Sequence, residues 1–369
     1  MILSRLELYN FRNYQHLDIE LFPGVNLIIG RNAQGKTNLL ESVYFLSHLK
    51  SRRAPRMRDL ALEGTESASA RGLIIDRGQR ISLKAGIGAG GRSAEINGRR
   101  AEQASRAIGI MKCVMFEPGD LYLVKGEPLK RREFLDETME GIGPVEAYEV
   151  GQYRHLLRQR NAMMKRWEEY GKGFLGALEP WNERLAEYGG AITGRRLRMV
   201  SRMSSLVTGT YREVSGEDTP VSFEYRGSFA LDAGAGVEAA TLAMREALEA
   251  ALGEEKRSRK TIVGPHRDEV EIKIGGREAR YQASQGEQRT IAFAMRFAQK
   301  EYTREVTGRG PVLLLDDVLS ELDEARRERV IEMAAGCEQA LLTATEAPRG
   351  AGIPTVRKFE VEGGKIKVG

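Results

Sequence analysis

Cysteine is scarce: Cys113 and Cys337 are the only two in 369 residues, far apart and in no C-x-x-C pair. A disulfide scaffold or a cysteine-rich zinc site is excluded, and both read as reduced thiols. Histidine is equally sparse, four in all, with no H-E-x-x-H or similar metal spacing. No apolar run approaches the ~18 residues of a membrane span. The opening MILSRLELYNFRN interleaves charge with its apolar residues, so it does not read as a secretory leader. These absences predict a cytoplasmic protein without a membrane partner. Lys+Arg number 57 against 52 Asp+Glu, a net charge of +5 with pI near 9.1, which permits nucleic-acid binding without demanding it. Hydrophobic residues make up 41%, too many for general disorder.

Periodicity organises the rest. Leu3, Arg5 and Glu7 alternate with apolar neighbours, and Leu17, Ile19 and Leu21 flank Asp18 and Glu20, predicting an antiparallel strand pair. Val25 to Ile29 is a continuous apolar run ending in Gly30, a buried strand entering a loop. Thr37 to Leu49 has helical spacing. Residues 64–98, with Asn97-Gly98 as a turn, predict several short strands. From about 145 to 207 the pattern is helical, and residues 151–200 carry ten Lys/Arg against five Glu. A strand (Val221 to Tyr225) and a helix (about 237–252) follow. Strands are then expected at 261–281, 312–315 and 340–343 and near the end, with helices from about 285 and over 323–335. The expectation is an α/β body, residues 1–143 and 255–369, interrupted by a mainly helical lobe, residues 144–254.

Gly30-Arg31-Asn32-Ala33-Gln34-Gly35-Lys36-Thr37 fits G-x-x-x-x-G-K-[ST] between a buried strand and a helix, where a phosphate loop belongs. Glycines let the backbone wrap phosphates, and the helix start attracts the anion. Lys36 would reach the β/γ-phosphates and the Thr37 hydroxyl would ligate Mg²⁺; Asn38 continues the helix. The bland alternative is a chance match in a glycine turn. Asp316 follows Lys36 by 280 positions, at the end of Val312-Leu313-Leu314-Leu315 and beside Asp317. Adjacent carboxylates there repel unless a cation is near, which predicts Asp316 on Mg²⁺ through water and Asp317 aiming an attacking water. The alternative is one capping aspartate and one solvated.

Ser284-Gln285-Gly286-Glu287 opens another helix. Ser284 with Glu287 is a complete capping box, but the box does not explain Gly286, a poor helix former. A hydroxyl, a glycine N–H and a helix N-terminus make a second anion site. One chain has no need of two γ-phosphate sites; two chains facing head to tail do.

This motif order, completed by Ser320-Glu321-Leu322-Asp323, resembles the ABC-type ATPases, in the DNA-repair branch that includes SMC proteins. Asn10-Phe11-Arg12-Asn13-Tyr14, Phe116 to Leu121, Lys130 to Asp136 and Gly264 to Asp268 narrow it to the RecF family of bacterial recombination mediators. The resemblance implies an SMC-type ATPase head, an ATP-dependent homodimer with two sandwiched nucleotides, and a DNA-dependent ATPase. It implies Gly30 to Asn38 and Arg12 around ATP and Mg²⁺, Ser284 to Glu287 as the signature supplied in trans, and Ser320 to Asp323 as the interfacial D-loop. It also implies RecR and RecO as partners in loading RecA at gapped duplex DNA. Two departures from transporter ATPases stand out: Asp317 replaces a glutamate, and Thr343 and Thr345 stand where a switch histidine would be. Both predict slow hydrolysis, suited to a timed clamp.

Lys50, Arg52, Arg53, Arg56 and Arg58 put five cations in nine residues after the phosphate-loop helix, a candidate for duplex phosphates. Insert cations, among them Arg154, Arg158, Lys165, Arg166, Arg195, Arg196 and Arg198, are a second candidate; solvated helix faces are the alternative for both. A transporter subunit, a rod-forming SMC protein and an ATPase–nuclease are less consistent with the basic loop, the short irregular helical block and the lack of a further acidic cluster.

Overall fold

The computed structural model describes residues 1–232, 234–346 and 356–368. The expected N-terminal pair is a hairpin, β1 (Ile2–Phe11) with β2 (Tyr14–Glu20). β3 (Gly24–Ile29) leads through the glycine loop into α1 (Lys36–His48). Residues 64–98 form β4 (Ala68–Asp76), β5 (Gln79–Gly88) and β6 (Gly91–Ile96), two of them long, and Asn97 and Gly98, at φ 51° and 76°, turn the chain into β7 (Arg99–Arg100). Together β2-β1-β4-β5-β6-β7 make an antiparallel sheet. A segment without a periodic signal supplies β8 (Cys113–Phe116), α2 (Leu121–Lys125) and α3 (Pro128–Ile142).

Residues 144–258, which include the expected lobe, form α4 (Pro144–Lys165), α5 (Trp167–Tyr170), α6 (Phe174–Ser215), β9 (Val221–Arg226) and α7 (Val237–Ser258). At 42 residues, α6 packs on both α4 and α7. Gly190 permits the α6–α7 approach: a Cβ there would stand 2.6 Å from the Ala240 carbonyl. Beyond the lobe, β10 (Glu269–Ile274) and β11 (Arg277–Glu278) are the only described strands in the stretch 261–281, the earlier part being turns and the later part α8 (Ala279–Gln282). β9 pairs with β10, Val221 opposite Ile274, across the expected lobe boundary at 254/255. Body and lobe therefore share a core rather than meeting at a linker.

α9 (Gln285–Thr307), β12 (Val312–Leu315), α10 (Glu324–Ala335), β13 (Gln339–Ala344), β14 (Val356–Glu362) and β15 (Lys365–Val368) complete the chain. The central sheet runs β15-β14-β3-β13-β12-β8, parallel except for β15. Its inner strands are covered on both sides, which explains their unbroken apolar runs. Ile28, Leu314 and Leu341 join α1 and the antiparallel sheet on one face. Leu27, Leu313, Leu315 and Leu342 join α9 and α6 on the other.

Candidate nucleotide site and cationic loop

The central strands end together at the glycine loop. Gly30 and Gly35 have φ of 159° and 119°, and Ala33 is left-handed at 64°. A Cβ on Gly35 would lie 2.6 Å from Asn13 Nδ2 and 2.9 Å from the Tyr14 hydroxyl. No side chain caps α1 and no acid lies in its first turn, so its leading N–H groups remain available to an anion. Lys36, 8% exposed, folds back over the loop and donates to the carbonyls of Gly30 (2.5 Å) and Arg31 (2.9 Å). Burial lowers its pKa, and Asp317 and Asp316 oppose that shift.

Asp316 is the hub. Thr37 Oγ1 and Thr343 Oγ1 both donate to its Oδ1 at 2.9 Å, and Thr343 Oγ1 accepts from the Asp317 N–H at 2.9 Å. Desolvation raises the Asp316 pKa, and the two hydroxyls pull it back. A buried carboxylate with a threonine hydroxyl offers two oxygen ligands of the kind a hard divalent cation takes. Asp317 is half-buried in left-handed backbone (φ 50°) and its carbonyl accepts from Ser320 Oγ at 2.8 Å. Thr343, expected at the switch position, is fully buried and spent on bracketing the two aspartates. Thr345 is exposed beyond the strand end.

Sequence reasoning missed what steadies the loop. Asn13 Nδ2 donates to the Gln34 carbonyl (3.0 Å), the Tyr14 hydroxyl to the Gly35 carbonyl (3.0 Å), and Asn38 Nδ2 to Asn13 Oδ1 (2.9 Å). The β14–β15 turn grips from the other side, Gly363 N–H donating to Gln34 Oε1 (2.8 Å) and Gly364 N–H to the Gln34 carbonyl (3.1 Å). Arg31 and Asn32 are exposed. Arg12 pairs in two-pronged fashion with Glu41, Nε and Nη2 donating at 2.8 and 2.9 Å. Glu41, 2% exposed on α1, had given no signal.

The capping box at Ser284 is present: Ser284 N–H donates to Glu287 Oε2 (2.6 Å), and Ser284 Oγ accepts from Glu287 N–H (3.2 Å). Ser284 and Gln285 are exposed. A Cβ on Gly286 would stand 3.3 Å from Arg326 Nη1 of α10, the far end of a flexible side chain that can yield, so packing does not by itself require glycine there. Asp323 caps α10 through the Arg326 N–H at 2.9 Å, so the Ser284 turn and the Ser320–Asp323 turn are neighbours. Leu322 is half-buried, and the Glu321 side chain lies outside those described. Yet α1 and α9 pack on opposite faces of the central sheet.

The model of the RecF/RecN/SMC N-terminal domain matches residues 2–348. The DNA replication and repair protein RecF of Acidothermus cellulolyticus is 36% identical over 373 residues, 100% of each chain, and that of Streptococcus suis 35% over 374 residues, 99% of each. The chain belongs to the RecF family. A solved RecF–ATP structure, a recombination mediator of the RecFOR pathway, superposes with TM-score 0.90 at 31% identity, covering 99% of this chain and 97% of that one. An SMC head domain bound to the C-terminal domain of ScpA, from Pyrococcus furiosus, shares the fold at TM-score 0.55 and 17% identity, over 99% and 95% of the two chains. The fold is that of an ABC/SMC-type ATPase head.

The cationic loop of this RecF-family chain divides in two. Arg52 lies inside, held by Asp120, with Glu117 Oε1 at 3.3 Å and the Met115 carbonyl at 2.9 Å. Lys50 pairs with Glu140 at 2.5 Å. Neither offers a free cation to DNA, which corrects the expectation for both; each neutralises a carboxylate that the fold buries. Arg53, Arg56 and Arg58 are exposed. The lobe divides likewise: Arg196 is buried on Asp136, Arg154 pairs with Asp136 and Glu140, and Arg195 pairs with Glu149, while Arg158, Lys165 and Arg198 face solvent and Arg166 pairs with Glu169 on the surface. Among the described residues no helix is long and apolar enough to cross a membrane.

Proposed function

We propose that this chain is an ATP-dependent DNA-binding protein of recombinational repair, a weak DNA-dependent ATPase whose nucleotide closes a homodimer. The observation that carries the reading is the convergence of Lys36, Thr37 and Asp316 at an uncapped helix start. Gly30 to Asn38 would hold the triphosphate. Thr37 and Asp316 would hold Mg²⁺, which supplies neutralisation of phosphate charge when bound. On nucleotide binding, Lys36 exchanges two carbonyl partners for phosphate oxygens. Asp317, held by the Thr343 hydroxyl, orients water for in-line attack. Among the described residues no histidine pairs with it, and its carboxylate is one methylene shorter than a glutamate, so turnover is slow and acts as a timer.

Dimer closure is supported by the placement of Ser284 on the face opposite α1. A partner chain supplies Ser284 and Gly286 to the nucleotide, with Ser320 to Asp323 beside them at the interface. DNA meets Arg53, Arg56 and Arg58 through its backbone phosphates. By family likeness the chain works at gapped duplex with RecR and RecO to load RecA, in the cytoplasm at the nucleoid. The test is fluorescence anisotropy of a labelled gapped duplex with Mg²⁺ and ATP, ADP or no nucleotide. Tight binding with ATP alone, abolished by Lys36→Arg and Ser284→Arg, is expected; binding indifferent to nucleotide would overturn the switch.

A further inference from the structure

A cavity of about 800 Å³ lies away from the glycine loop, between the segment after α1, helices α3, α4 and α6, and the turn at Pro265-His266. Its size falls among small-molecule sites, which run roughly 300–1,000 Å³. Three segments that carried the family likeness, but that the nucleotide site does not use, build its walls: Phe116 to Leu121, Lys130 to Asp136 and Gly264 to Asp268.

The lining is positively biased, with seven Lys or Arg side chains against five carboxylates. The carboxylates are engaged: Asp120 and Glu137 by Arg296, Asp136 by Arg154 and Arg196. Arg132 has no carboxylate within ion-pair reach among the described residues; its Nη1 donates to the Asp268 carbonyl at 2.9 Å. Burial lowers the Arg132 pKa, and Arg196 and Arg267 add to that shift against Glu269 and Asp268. Two buried polar groups on the wall lack hydrogen-bond partners: the Tyr44 hydroxyl and Arg196 Nε, on side chains 0% and 2% exposed. Leaving such groups unpaired costs free energy that an oxyanion would recover. Phe134, Tyr153 and Leu157 add apolar wall suited to the non-ionic part of a ligand.

We propose that this cavity is a second anion site, taking a phosphate-bearing group between Arg132, Arg196 Nε and the Tyr44 hydroxyl. It goes beyond the nucleotide site and does not depend on it. The phosphate has two chemical sources, a free phosphate compound or the terminal phosphate of a nucleic-acid strand.

The test is equilibrium dialysis of the full chain with labelled pyrophosphate, in a Lys36→Ala background that disables the glycine loop. One bound equivalent is expected. Arg132→Gln should weaken it about tenfold or more, Arg132→Lys should restore part of that, and Tyr44→Phe, which keeps the ring, should weaken it several-fold. No bound equivalent in Lys36→Ala, or binding that ignores both Arg132→Gln and Tyr44→Phe, overturns the site. ATP binding by the unsubstituted chain is read separately, so failure of the nucleotide reading would be seen apart from failure here. Competition assigns the source: displacement by a 5′-phosphorylated but not a 5′-hydroxyl oligonucleotide means a strand end, and displacement by AMP but by neither oligonucleotide means a free nucleotide.

Discussion

The Thr37 hydroxyl donates to Asp316 Oδ1 at 2.9 Å across 279 positions of chain. One residue opens the helix after β3 and the other ends β12, and β13 lies between those two strands, carrying Thr343 into the same carboxylate. Removing either side of this bond should disable nucleotide chemistry more than folding. Asp316→Asn is expected to lower ATP turnover about 100-fold or more while the folded chain persists, read by phosphate release beside thermal unfolding. An unchanged rate would sink the assignment of Asp316.

Gly35 is the loop's steric weak point. Gly35→Ala would drive a Cβ into Asn13 and the Tyr14 hydroxyl at a φ of 119°. The cost should be about 1–3 kcal/mol in urea unfolding, with ATP affinity falling in step because the phosphate cradle is displaced. Gly276→Ala, at φ 78° but with open space, is the comparison that isolates backbone strain from collision.

Ser284 carries a capping role and an intermolecular one, and two substitutions separate them. Ser284→Ala should lose about 1 kcal/mol of helix capping. Ser284→Arg should leave ATP binding by the single chain intact and abolish the ATP-dependent dimer in light scattering. Dimerisation that survives Ser284→Arg would argue against a signature supplied in trans.

The cationic loop predicts opposite outcomes for neighbours. Arg52→Ala leaves Asp120 buried with Arg296 as its remaining guanidinium and should cost about 1.5–3 kcal/mol, the worth of the charge-assisted hydrogen bonds removed. Arg53→Ala, Arg56→Ala and Arg58→Ala should leave stability within about 0.5 kcal/mol. In a salt titration of DNA binding, each of these three substitutions that removes a cation from a phosphate should reduce the slope by about one.

His48 predicts acid sensitivity. Its ring stacks on Tyr44 with centroids 4.3 Å apart, and both ring nitrogens are buried without partners. Burial, helped by Lys50 and Arg52 and opposed by Glu137, lowers its pKa to about 3. The folded state thus favours the neutral ring. Its contribution is complete above the unfolded pKa near 6.5 and declines by about 1.4 kcal/mol per pH unit as pH falls from there toward 3. Urea unfolding of His48→Phe between pH 7 and pH 4 should show a shallower loss than the unsubstituted chain.

Local signals were legible wherever one residue type has one strong reason. The glycine loop, the apolar strands before it and before Asp316, the Ser284 capping box and the Asn97-Gly98 turn are all short-range, because backbone conformation and burial period are written within a few residues. β8, α2 and α3 were not, since their burial comes from partners far away. Nor could the sequence separate Arg52 from Arg53: both are cations in one polar loop, and only packing against Asp120, Glu117 and Glu137 draws one inside.

By itself, then, the sequence determined the glycine loop between strand and helix, the paired aspartates, the serine turn and the family, all of which rest on residue chemistry at fixed spacing. The tertiary structure alone decided that Thr343 brackets the aspartates, that α1 and α9 take opposite faces of one sheet, and that lobe and body share a sheet through β9 and β10. It alone enclosed the Arg132 cavity. The physical reason is the same in each case: which charge is neutralised, and which hydroxyl is spent, depends on neighbours brought together by burial rather than by the chain.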